Sequence, residues 1–193
     1  MMQFDHFDHI HYLKTGSVRQ RQAYDVLMEL RLFDVLKPFT PMLVGTIPLD
    51  IDTENSDLDV ICHVEDFAKF KASAAGNYEY CEDFIIYEEM IRGVPAIYAA
   101  FKFKGFPIEI FGQPRPVKEQ NGYLHMMIEA RLLALSGEEA REGIRRLKRQ
   151  QFKTEPAFGF YYHLSGDPYN RLIELVQASD AELRQIIEAK MDT

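Results

Sequence analysis

The sequence predicts a mixed α/β (α+β) fold, with strands and helices sharing the first part of the chain and helices alone the last. Three observations predict it. Of 193 residues, 47% are hydrophobic and 27% charged, which supplies a real core and argues against disorder. Short β-branched apolar runs bounded by glycine and proline fall between about residues 17 and 115. From residue 117 onward the signals are those of capped helices. At roughly 150 residues per domain, the length suits one structural unit. It divides into an α/β core with an N-terminal helix (1–115) and a helical region packed on it (116–193).

The opening MMQFDHFDHIHY carries His6, His9 and His11 among Asp5 and Asp8. It lacks a glycine turn and a second ligand set of matching spacing, so it reads as a terminal arm. Ser17 and Gln20 form a capping box, and Ala23, Val26, Leu27, Leu30, Phe33 and Leu36 trace an apolar helical stripe that Pro38 stops. PMLVGT (41–46) is a short buried strand, and the loop PLDIDTENS (48–56) leads to a second, DLDVICHV (57–64). Residues 66–75 form a short helix with Asp66 as N-cap and Gly76 as stop. Segments 83–91 and 94–103 are strands joined near Arg92-Gly93, and Lys104-Gly105 turns the chain into FPIEIF (106–111). Helices follow over 117–135 and 138–151. Later starts are marked by Asp167-Pro168 and by the capping box of Ser179 and Glu182.

The charge balance, 22 basic against 30 acidic residues, gives −8 and argues against a duplex-DNA binder. No signal-peptide pattern and no apolar run of membrane-spanning length is present, so a cytoplasmic location without membrane contact is expected. Cys62 and Cys81 make neither a disulfide framework nor a four-ligand zinc site. No G-x-x-x-x-G-K-[ST], G-x-G-x-x-G or G-x-S-x-G occurs, which removes the commonest NTPase, dinucleotide-binding and serine-hydrolase readings.

Chemistry concentrates where carboxylates do: Asp50, Asp52, Glu54, Asp57 and Asp59 fall within ten positions. An EF-hand loop aligned at Asp50 fails, because Asn55 replaces the turn glycine and Ile61 the bidentate glutamate. Asp57 and Asp59 are i and i+2, so a strand aims both carboxylates one way while Leu58 faces the opposite layer. Two such oxygen donors suit Mg²⁺, and a solvated turn is the alternative. Upstream, Gly45-Thr46 ends a buried strand, where a glycine admits a ligand to the backbone and N–H and hydroxyl groups can hold phosphate. Downstream, Ile108-Glu109-Ile110 sets a carboxylate in an apolar strand, either for a metal or as an edge residue facing water.

The order apolar strand, Gly45-Thr46, loop, Asp57-Leu58-Asp59-Val60, Ile108-Glu109-Ile110 resembles the signature of the nucleotidyltransferase superfamily, the polymerase-beta-like fold. GTIPLDIDTENSDLDVIC, IEIFGQ and KTEPAFGF further resemble an uncharacterised bacterial family placed there as a domain of unknown function. The resemblance implies a mixed sheet flanked by helices and transfer of a nucleoside monophosphate from an NTP to a hydroxyl acceptor. It implies that Gly45 and Thr46, with Ser56, bind the nucleotide. Asp57, Asp59 and Glu109 would be the catalytic and metal-holding carboxylates, with Mg²⁺ or Mn²⁺ as cofactor. Thr46 departs from the usual Ser or Gly, and the acidic loop at Asp50, Asp52 and Glu54 would repel a triphosphate unless it faces away. Both departures motivate an alternative, a non-catalytic nucleotide-binding or interaction module of the same fold.

Other groups are read as structural. Arg92, Lys102 and Lys104 precede Glu109 and are assigned to solvent; His125 and Glu129, at i and i+4, pair as support. The basic stretch 138–153, with Arg141, Arg145, Arg146, Lys148, Arg149 and Lys153, reads as a solvated helix face. It is also the one place that could meet RNA or an acidic acceptor. Phe152, Phe158, Phe160, Tyr161 and Tyr162 are expected to pack the helices against the sheet.

Overall fold

The computed structural model describes residues 4–191. From Phe4 onward the N-terminal arm is packed: 3₁₀ turns at Asp5–Asp8 and His11–Thr15 bury Phe7 and Leu13, and the arm's first three residues lie outside the described residues. Helix α1 (Val18–Glu29) starts at the expected capping box, in which Gln20 N–H donates to Ser17 Oγ at 3.3 Å and Ser17 N–H to Gln20 Oε1 at 3.0 Å. The predicted single helix to Leu36 breaks. Leu30 and Leu32 are both buried, which one helical face cannot achieve at a separation of two residues; Arg31 turns left-handed (φ 49°) and re-aims the chain into α2 (Leu32–Val35). Helix α3 (Phe67–Tyr78) has the Asp66 cap, with Lys69 N–H donating to Asp66 Oδ1 at 2.9 Å. It runs past Gly76 because Tyr78 packs fully buried on Phe101, ring centroids 5.0 Å apart.

Strands β1 (Met42–Val44), β2 (Leu58–His63), β3 (Glu82–Ile91), β4 (Val94–Phe103) and β5 (Phe106–Gln113) form a five-stranded mixed sheet in the order β1-β2-β5-β4-β3. β2 and β5 are parallel; the other neighbouring pairs are antiparallel. Both expected hairpin turns are present, with positive φ at Arg92-Gly93 (50° and 82°) and Lys104-Gly105 (47° and 78°), as paired left-handed turn residues require.

Alternation sends Leu58, Val60, Ile108 and Ile110 into a core with α1, α2 and α3. Ile61, Met42 and Val44 enter a second core on the opposite face, under α4 (Asn121–Ser136), α5 (Glu138–Arg149), α6 (Thr154–Tyr161), α7 (Pro168–Leu175) and α8 (Asp180–Met191). The residues preceding α4 (Val117–Glu119) are a 3₁₀ turn, so that helix begins later than the pattern suggests. α6 has no sequence start signal because Lys153, its N-cap, makes no side-chain cap. Phe158 and Tyr162 join the second core as expected, whereas Phe160 is exposed. Among the described residues, no helix is long and apolar enough to cross a membrane.

Candidate functional site

β2 and β5 run side by side in parallel, and their register sets Asp59 opposite Glu109. Asp57 sits one residue before β2, two before Asp59, and so shares that face. The carboxylates of Asp57, Asp59 and Glu109 each offer an oxygen within 4.8 Å of the others. β5 is a central strand, so Glu109 is not an edge residue, although its side chain remains exposed to water. Among the described residues no other group of His, Cys, Asp and Glu side chains is so arranged, and the N-terminal histidines form none.

Gly45 explains why the strand before the loop ends in glycine. Its φ is +83°, and a Cβ there would stand 2.3 Å from Asp59 Oδ2. The residue therefore lets the backbone cross directly beside the carboxylate. Thr46 and Ser56 are both buried and line the same cavity. Ser56 Oγ accepts from Thr53 N–H at 2.9 Å, so the residue also closes the loop's last turn.

The three carboxylates lie in a cavity of about 690 Å³ between the sheet and the C-terminal helices. Residues outside the predicted set complete its walls: Tyr98, Phe111, His125, Glu129, Lys148, Arg149, Lys153 and Glu155. The end of the basic stretch thus faces the cavity, not solvent alone. Lys148 follows the buried Ala140 and Ile144 at i+8 and i+4 and so continues the inward face of the helix, with Arg145 and Arg149 on the flank beside it, a signal present in the sequence. The acidic loop faces these cations. Arg145 pairs with Asp50 at 3.1 Å and Arg149 with Glu54 at 3.8 Å. Two puzzling charge runs therefore neutralise each other.

His125 and Glu129 do not pair. His125 Nδ1 lies 3.2 Å from Glu155 and its Nε2 3.0 Å from the Tyr169 carbonyl. Glu129 is buried with Oε1 unpartnered, although Lys148 acts on it electrostatically. Lys102 instead engages Asp83 and Glu82 at the sheet's far edge, and Lys104 binds Glu29.

Desolvation raises Asp59 well above the usual carboxylate range, helped by Asp57 and then Glu109, while Lys148 opposes the rise. Glu109 is raised by desolvation and by Asp57, with Lys153 opposing. Desolvation also raises Glu129 and lowers Lys148. Burial works to raise Glu155, but hydrogen bonds from His125 and a backbone amide hold it below its ordinary value. Three converging oxygen donors with this mutual repulsion fit a hard divalent cation, which relieves what Lys148 only offsets.

A family model described as "Domain of unknown function (DUF4269)" matches residues 25–175. A search of curated proteins finds no match. Solved structures do match. One is Cid1, described with an RNA terminal uridylyl transferase activity: TM-score 0.52 and 15% identity over 77% of this chain and 50% of that one. A cytoplasmic RNA terminal U-transferase matches with TM-score 0.52 and 16% identity over 77% and 48%. Cid1 poly(U) polymerase bound to Mg 3′-dATP matches with TM-score 0.51 and 15% identity over 81% and 48%. The chain spans about half the length of these structures, and the likeness shows the fold they share, that of the nucleotidyltransferases.

Proposed function

Since the chain belongs to the DUF4269 family, a domain of unknown function, and has the nucleotidyltransferase fold, we propose that it is a divalent-metal-dependent nucleotidyltransferase acting from an NTP onto a hydroxyl acceptor. One observation carries the reading: Asp57, Asp59 and Glu109, distant in sequence, bring carboxylate oxygens within 4.8 Å of one another inside a nucleotide-sized cavity.

Asp57, Asp59 and Glu109 would hold Mg²⁺ or Mn²⁺. When bound, the ions supply neutralisation of triphosphate charge and of the charge that builds during transfer. The chain's own residues do the rest. Gly45 admits the phosphates to the backbone, and the hydroxyls of Thr46 and Ser56 donate to their oxygens. Lys148 and Lys153 on the opposite wall bring positive charge to the same anion. Glu109 orients the acceptor hydroxyl and takes its proton. The acceptor oxygen bonds to the α-phosphorus, the bond to the bridging oxygen breaks, and pyrophosphate leaves.

The test is calorimetric titration with ATP, GTP, CTP and UTP, with and without Mg²⁺. Metal-dependent binding of at least one nucleotide is expected, and its loss in Asp57→Asn and Asp59→Asn. A folded protein that binds none of the four overturns the proposal. Pyrophosphate release on adding acceptors from a lysate separates transfer from the binding-only alternative.

A further inference from the structure

The face of the sheet that carries Glu109 continues beyond the cavity, and aromatic rings occupy it in a row. Register pairs Phe111 on β5 with Tyr98 on β4, and Tyr98 with Tyr87 on β3. The Tyr87 and Tyr98 rings stack at 5.0 Å with an interplanar angle of 11°, and Tyr98 meets Phe111 at 4.9 Å. Phe111 and Tyr98 line the cavity, whereas Tyr87 lies outside it and is 43% exposed. The neighbouring row is Asp59, Glu109, Ala100 and Ile85, in which alanine keeps the surface flat and Ile85 is 53% exposed. The C-terminal helices pack over β1 and β2 and leave this part of the sheet open.

Charge decides what such a surface accepts. Glu89 and Glu109 act on the hydroxyls of both Tyr87 and Tyr98, and Glu89 accepts a hydrogen bond from Tyr98. Lys102, on the same face of β4, is engaged by Asp83 at 2.7 Å and Glu82 at 3.6 Å. Lys148, Arg149 and Lys153 line the cavity end of the row, where the triphosphate would lie. Beyond it, a polynucleotide tracking the face past Tyr87 would set its phosphates against Glu89, Asp83 and Glu82, where single-strand binders present a cationic groove.

Resting on the reading above, we infer that the Tyr87–Tyr98–Phe111 row is the acceptor platform, and that it takes a small molecule with a flat ring and a hydroxyl arm but no phosphate. The ring lies on the tyrosines, and the hydroxyl reaches Glu109 one row away, roughly 7 Å along the strand. The aromatic row supplies affinity, and the flanking carboxylates exclude polyanions.

Ligand-observed saturation-transfer NMR tests this, with the cavity loaded by Mg²⁺ and a mixture of the four NTPs. The probes are phenyl β-glucoside (ring and hydroxyls), methyl β-glucoside (hydroxyls alone) and a short oligouridylate (rings and phosphates). Phenyl glucoside should bind through its ring protons. It should weaken roughly fivefold or more in Tyr87→Ala and recover in Tyr87→Phe, as loss and return of a stacking ring require. Methyl glucoside and the oligonucleotide should bind more weakly. No contact with phenyl glucoside, contact indifferent to Tyr87→Ala, or preference for oligouridylate overturns the inference, the last in favour of RNA. Nucleotide binding by the wild type is read in the same samples. Its absence sinks the transferase reading, whereas its presence without platform binding sinks only the acceptor assignment.

Discussion

At the scale of single residues the site is a contest between like charges and the groups that tolerate them. Gly45 is fixed twice, by φ +83° and by Asp59 Oδ2 at 2.3 Å from where a Cβ would lie. Gly45→Ala should therefore cost about 1–2 kcal/mol in urea denaturation and weaken Mg²⁺ binding by displacing the carboxylate. Asp59 behaves oppositely. Its carboxyl is raised in the folded chain by desolvation, Asp57 and Glu109, so the native state holds more protons than the unfolded one between the ordinary and raised values. Stability from this group is present at low pH and lost as pH rises through the folded value. In EDTA the melting temperature should rise as pH is lowered from neutrality toward the ordinary carboxylate range. Asp59→Asn should flatten that slope and match or exceed the wild type at the upper end. A large loss of stability in this variant would mark the residue as structural instead. Bound Mg²⁺, which needs the deprotonated groups, should reverse the slope.

At the scale of elements, α5 holds the loop that delivers Asp57. Arg145 pairs with Asp50 at 3.1 Å and donates to the Asp50 carbonyl, and Arg141 donates to the Leu49 carbonyl at 2.8 Å. Arg145→Ala should destabilise the fold by about 1–2 kcal/mol. It should also speed hydrogen exchange at the Ile51 and Ser56 amides, whose acceptors are the Thr46 and Thr53 carbonyls. The exposed neighbour Arg146 is the control, and Arg146→Ala should leave both rates unchanged. The sequence placed the strands well because turn residues and β-branched runs are local signals. It misjudged α1, which Arg31 interrupts, because burial of both Leu30 and Leu32 is a demand of the tertiary core.

At the scale of the whole molecule, the cavity lies between two layers with separate cores, one on each face of the sheet. A ligand held by Asp57 and Asp59 on one wall and by Lys148 and Lys153 on the other would join them. Saturating Mg²⁺ and NTP should then raise the melting temperature in one cooperative transition. At a hundredfold excess over Kd the gain is about 2.7 kcal/mol, read by calorimetry. A shift confined to one of two resolved transitions would contradict this.

What the chain determined by itself was the local grammar: the Ser17, Asp66, Asp167 and Ser179 caps, the two glycine turns, and the i and i+2 pairing of Asp57 with Asp59. Each depends on neighbours a few positions apart, so spacing alone encodes it. Only the tertiary structure decided that β5 lies beside β2, which sets Glu109 opposite Asp59. It also decided that Lys148 turns toward these carboxylates and that Tyr87, Tyr98 and Phe111 fall in one row. Strand order and helix docking are settled by burying apolar area across the whole chain, a sum over distant residues that no short window contains.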